Sequence, residues 1–216
     1  MSIRSVPIHP LTSDRQSSLD ELLREVRACR ACEANLPFEP RPILRATTTA
    51  RLLVVGQAPG VLAHESGIPW NDPSGNRLRQ WTGIDRATFY DESRVAIIPM
   101  GYCYPGRGQS GDLPPRAECA SLWLSQLSQH LPQVQLTLLI GRYAQSHYLR
   151  ARRKATLTDT VRAWREFRPS YLPLPHPSGR NNIWLRRNPW FEKEVLPALR
   201  RTCRTLGLGK ASHTTE

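Results

Sequence analysis

Leu52-Leu53-Val54-Val55-Gly56-Gln57-Ala58-Pro59-Gly60 decides the fold. Four apolar residues in a row, without polar alternation, read as a short strand buried on both faces. Glycine and proline then stop it abruptly in a loop. Three further runs read the same way, at residues 95–98, 136–140 and 171–174. Helix-spaced stretches lie around them. Residues 18–29 place Leu19, Leu22, Leu23 and Val26 on one face, with Ser17 or Ser18 as cap. Others run from Pro114-Pro115 to about residue 130, from 141 to about 150, and from 189 to about 206. Strands alternating with helices predict an α/β fold, three-layer α/β/α, with a mainly parallel four-stranded central sheet. Residues 17–206 form the expected single domain, with flexible tails at 1–16 and 207–216.

Ligands of open parallel sheets bind where the carboxyl ends of the strands emerge. Three segments leave such ends: 56–60, 99–103 and 176–179. The stretch from Gly56 to Gly83 shows no clear periodicity, and a loop of that length is usually functional.

Charge narrows the partner. The chain carries a formal net charge of +12. Residues 141–216 hold 16 Lys and Arg against 5 Asp and Glu, so nearly all of the excess sits in the last third. Such a basic portion reads as a polyanion-binding face, because each phosphate it neutralises releases counterions. Arginine supplies most of the charge, and its planar fork suits phosphate. No apolar run is long enough to cross a bilayer, and the polar, Pro-rich residues 1–20 lack the pattern of a secretory signal. A cytoplasmic protein is expected, associated with the nucleoid through DNA. The five cysteines, an odd number without a signal, argue against a disulfide framework.

The loop Gly56-Gln57-Ala58-Pro59-Gly60 resembles the water-activating motif of the uracil-DNA glycosylase superfamily, and His176-Pro177-Ser178 resembles its DNA-clamping motif. Leu138-Leu139-Ile140-Gly141-Arg142 is similar to the family's third strand and helix start. The resemblance spans roughly residues 28–200. It implies a glycosylase that flips a deaminated base out of DNA and hydrolyses its bond to the sugar. Members usually act as monomers. His176 would stabilise the departing base, Ser178 would bind a phosphate, and Arg180 would wedge into the gap left by the flipped base, with Asn181 and Asn182 as other polar candidates. Arg186 and Arg187 extend the DNA-binding set. Trp70 stands where the iron–sulfur class stacks an aromatic on the base, beside Ala58 and Met100 as further base-pocket candidates. Pro99 takes the place of the Asn with which a related class reads uracil.

The first motif departs from the family in having neither usual carboxylate, since Gln57 and Ala58 occupy those positions. Gln57 orients water through its amide but is no general base at neutral pH. Asp72 is the best replacement, with Glu65 and Asn71 as alternatives. The same Asp72, before Pro73-Ser74, equally fits a helix or turn cap.

Cys29 and Cys32 form Cys-x2-Cys, and Cys103 and Cys119 follow at longer spacing. The pattern resembles that of the iron–sulfur class. It implies a structural [4Fe–4S] cluster, with zinc or free buried thiols as the alternatives. Cys203 lies outside the pattern. No organic cofactor is expected. Two other functions remain open at this level: a DNA-binding protein of the same fold without catalysis, and a nucleotide- or phosphate-binding α/β protein.

Overall fold

A computed structural model describes residues 12–109 and 111–209. Four strands, β1 (Leu52–Val55), β2 (Val95–Ile97), β5 (Leu136–Ile140) and β6 (Tyr171–Leu174), form one sheet in the order β2-β1-β5-β6. Every pair in it is parallel. The short antiparallel hairpin of β3 (Arg107–Gly108) and β4 (Gly111–Asp112) stands apart. Helices cover both sides, giving the three-layer architecture.

The apolar runs form central strands because both of their faces are buried. Leu52 and Val54 point into one core, with Leu138 and Ile140, while Leu53 and Val55 point into the other, with Leu139. That is the two-residue alternation of a pleated strand. The first core is closed by α3 (Pro73–Thr82), α4 (Arg86–Tyr90) and α10 (Leu196–Thr205), through Leu78, Trp81, Phe89 and Leu199. The second is closed by α1 (Thr12–Arg27) and by α5 (Ala117–Cys119) and α6 (Ser125–Gln129), which a π-helical turn at Ala120–Leu124 joins. Pro173 sits in β6 because that strand is an edge, where a missing ladder donor is tolerated. The remaining helices are α2 (Val61–Ser66), α7 (Gly141–Leu149), α8 (Leu157–Arg162) and α9 (Asn182–Arg187).

Several boundaries differ from the sequence reading. Helix α1 starts at Thr12, inside the stretch expected to be a tail, and Gln16 Oε1 accepts the Thr48 backbone N–H at 2.9 Å. At the other end the chain stays packed past 206. Leu208 is buried in the first core, its N–H bonds Cys203 O at 2.8 Å, and Arg94 donates to Gly207 O. The rest of the expected tails, residues 1–11 and 210–216, lie outside the described residues. The expected final helix begins as a π turn at Phe191–Val195.

The stretch from Gly56 to Gly83 is largely helical, not loop. Asp72 caps α3, Pro73 occupies its first turn, and Gly83 ends it at φ 71°. Its periodicity was hidden because two polar residues, Arg79 and Thr82, share the buried face with Leu78 and Trp81. Leu78→Ala should cost about 2–5 kcal/mol in urea unfolding, as a truncated core leucine does, whereas exposed Gln80→Ala should stay within about 0.5 kcal/mol.

Candidate active site

The carboxyl ends of β1, β2 and β6 converge on a cavity of about 460 Å³. Its walls include Gln57 and Ala58 after β1, Pro99 after β2, and His176 and Ser178 after β6, with Trp70 and Asp72 from the segment before α3. That size falls in the range of small-molecule pockets.

Trp70 is held with unusual firmness. Its φ of 57° is rare for a bulky residue and marks local strain. Its carbonyl accepts from Tyr90 Oη at 3.1 Å and from the buried Arg79 at 3.3 Å. Arg79 in turn lies over the rings of Phe89 and Tyr90. Two glycines make this placement possible. A Cβ on Gly56 would stand 2.8 Å from the Trp70 ring, and one on Gly75 would stand 1.8 Å from the Trp70 carbonyl oxygen. The ring stacks against His176, with centroids 5.6 Å apart and planes 29° from parallel.

His176 has its tautomer set by the backbone. The Ser178 N–H donates to Nδ1 at 3.2 Å, so in the neutral ring the proton sits on Nε2. Asn181 Nδ2 donates to the His176 carbonyl at 2.7 Å, and Arg77 holds the Ser178 carbonyl at 3.1 Å and Asn182 Oδ1 at 2.8 Å. Burial pushes the His176 pKa below the ordinary imidazole value. Asp72 and Asp112 pull it back up, and Arg180 lowers it. At neutral pH the ring is therefore uncharged, and Nε2–H is its donor.

Asp72 does cap α3, since the Gly75 N–H donates to its Oδ1 at 2.7 Å, and it also lines the cavity. The cap and the cavity wall are one residue because α3 begins at the mouth. Gln57 Nε2 donates to Leu113 O at 2.8 Å, which leaves its amide oxygen as the group with acceptor capacity. Arg180 lines the cavity close to Gly111.

The structure does not bring every expected residue here. Met100 is buried in the second core, and its N–H bonds Gly56 O at 3.0 Å. It leaves the strand end facing away from the cavity. Glu65 is exposed on α2, and Asn71 accepts from Arg86 at 3.1 Å. Arg186 and Arg187 are exposed on α9. Arg186 shares a groove with Arg77, Asn182 and Arg200. Two residues were missed from the sequence. Arg77 presented only as one of many arginines. Asp112 lay in a Gly-rich run whose turn signal marks a hairpin but not its destination.

Cys29, Cys32, Cys103 and Cys119 gather beneath the second core, from the end of α1, the turn after it, the loop after β2, and α5. The Tyr102 N–H points at Cys119 Sγ at 3.5 Å. Burial, with the neighbouring thiols adding to it, pushes Cys103 up to about 12 and Cys119 to about 11. The Tyr102 hydroxyl and Arg116 Nε are buried beside these thiols without a hydrogen-bond partner. Among the described residues no three His, Cys, Asp or Glu side chains are arranged to hold a single metal ion. No described helix is long and apolar enough to cross a membrane.

The electrostatics yield a test by NMR. The His176 ring should titrate with a midpoint below about 6.5, and ¹⁵N shifts should show an unprotonated Nδ1 at neutral pH. Asp72→Asn should lower the midpoint further, because it removes a charge that favours the imidazolium. A midpoint that rises in this variant would contradict the assignment.

Residues 45–200 match the family model of the Uracil DNA glycosylase superfamily. A solution NMR structure of a candidate uracil DNA glycosylase from Methanosarcina acetivorans aligns with 74% of this chain and 97% of its own, at 14% identity and a TM-score of 0.43. The structural likeness is too loose to add to the case. With most of its length matched by the family model, the chain belongs to the uracil-DNA glycosylase superfamily.

Proposed function

We propose that the protein is a DNA glycosylase that hydrolyses the bond between deoxyribose and uracil, or another deaminated base, flipped into the 460 Å³ cavity. The observation that carries this reading is the His176 ring stacked beside Trp70 in that cavity, its Nδ1 accepting the Ser178 N–H so that Nε2 is the ring's donor.

Cleavage leaves negative charge on the base and positive charge on the sugar. The Nε2–H of His176 meets the first by hydrogen-bonding a base carbonyl oxygen, and a fixed donor does so without reorganising as charge develops. The Asp72 carboxylate opposes the sugar cation. Gln57 holds water through its amide oxygen. Trp70 stacks on the base, and Ala58 keeps that end of the wall small. Stacking is tolerant of base identity, which fits a pocket with Pro99 in place of an amide reader. Met100 has no part in this scheme. At the rim of the cavity, Ser178 takes a phosphate and Arg180 stands at the vacated helix position. Arg186 and Arg187 track the backbone with Arg77 and Arg200. The protein is expected to work as a monomer, among the DNA of the cytoplasm.

The cysteine group suits a [4Fe–4S] cluster better than zinc. The unpartnered Tyr102 hydroxyl and Arg116 Nε are donors suited to the sulfurs of such a cluster. Cys29, Cys32, Cys103 and Cys119 would hold it. Bound, it would tie α1 to the segment between β2 and α5, a structural role.

The decisive assay offers oligonucleotides carrying uracil, hypoxanthine or xanthine, with strand scission at abasic sites as the readout. His176→Ala should lose about 100- to 1,000-fold in single-turnover rate on the best substrate while still binding it, and Asp72→Asn a similar amount. Gln57→Ala should lose less. DNA binding without excision of any base would leave a non-catalytic member of the same family. Protein purified without oxygen should be brown and hold about four irons per chain, and Cys103→Ala should lose them. Stoichiometric zinc would refute the cluster.

A further inference from the structure

The first loop of the cavity carries no carboxylate of its own, because Gln57 and Ala58 stand at the positions where one is expected. A carboxylate nevertheless faces it from another part of the chain. Asp112 ends β4 of the hairpin, and its Oδ2 lies 3.5 Å from the point where a side chain on Gly60 would begin. That is ordinary van der Waals distance, so the carboxylate stands directly against the end of this loop. Asp112 lines the 460 Å³ cavity and also a neighbouring one of about 550 Å³, so it stands on the divide between them with Gln57 and His176.

The hairpin is tied to this spot. Gln57 Nε2 grips Leu113 O, the carbonyl of the very next residue, at 2.8 Å. Leu113 N–H closes back on Gly106 O at 2.8 Å, and Arg180 packs against Gly111. The same amide that is given to the water thus fixes the segment that carries Asp112. Asp72, across the cavity, has one oxygen committed to the start of α3. The charge on Asp112 also reaches His176, as that of Asp72 does.

We propose that Asp112 is the catalytic carboxylate that holds and deprotonates the attacking water, doing from the hairpin what the first loop cannot. This rests on the glycosylase reading above and assigns the group that reading lacked. The water oxygen bonds to the anomeric carbon as the carbon–nitrogen bond breaks. The electron pair of that bond leaves on the base nitrogen, whose charge His176 stabilises. The water proton passes to Asp112 and from there to solvent, and the base anion takes a proton from solvent on release. Asp72 remains the charge opposing the sugar cation.

The test uses the full chain and the oligonucleotide that the wild type cuts best. Asp112→Asn and Asp112→Ala should each lose about 100-fold or more in single-turnover rate, the usual contribution of a positioned general base. Their melting temperatures should stay at the wild-type value, since the residue is exposed. Affinity for uncleavable DNA carrying 2′-fluoro-deoxyuridine should be unchanged or tighter, because a negative charge near phosphates has gone. Added formate should restore part of the rate to Asp112→Ala and none to His176→Ala, which a merely structural role would not produce. The inference is overturned, with the glycosylase reading intact, if the wild type cuts and both variants stay within about threefold of it. It is equally overturned if Asp112→Ala is slow but formate leaves it so. If the wild type excises no base at all, both fall together.

Discussion

Parallel strands deliver their carboxyl ends to one edge of the sheet, and this chain buries its apolar runs in such strands. Leu52–Val55 and Leu136–Ile140 are buried on both faces, so both need neighbours in the sheet and a helical layer on each side. Once β1 lies between β2 and β5, with β6 beyond, the loops after β1, β2 and β6 meet. The cavity is a consequence of that pairing. Substitutions that loosen the central pair would disperse the site before they touched any residue in it.

Within that frame the second constraint is the seat of Trp70. Its strained backbone is over-determined by Arg79, Tyr90 and the two glycines that let it in. Strain of this kind, worth roughly 1–3 kcal/mol, persists only where the surroundings hold it. Here they hold an indole ring against His176. The second side of the pair is fixed just as locally, by the Ser178 N–H on Nδ1. Preorganisation of both partners before any ligand arrives is what an electrostatic mode of catalysis requires. The opposite core plays a different part. Its cysteines come from the end of α1, the loop after β2 and α5.

Much of this was legible in the chain itself. The four strands and their parallel sense followed from uninterrupted apolar runs alternating with helix-spaced ones. The two loops at the cavity followed from their position at strand ends. The dual identity of Asp72 could be stated but not resolved, because a cap and a cavity wall ask for the same residue type. Helix α3 was overlooked for a physical reason: half of its buried face is polar, and Arg79 is buried there to hold the Trp70 carbonyl. Met100 was misplaced because a strand end can turn a side chain to either face, and only the packing on the α1 side settles which.

The sequence by itself determined the fold class, the family and the two loops that frame the site. These depend on local composition and on order along the chain, which the sequence carries directly. Tertiary structure alone decided which charged groups share the cavity. Asp72 and Asp112 are forty residues apart by number, and Arg77 reaches Ser178 across a hundred more. No periodicity links such residues. They meet because the sheet sets the distance between the loops, and Trp70 fits among them because Gly56 and Gly75 carry no side chain to strike it.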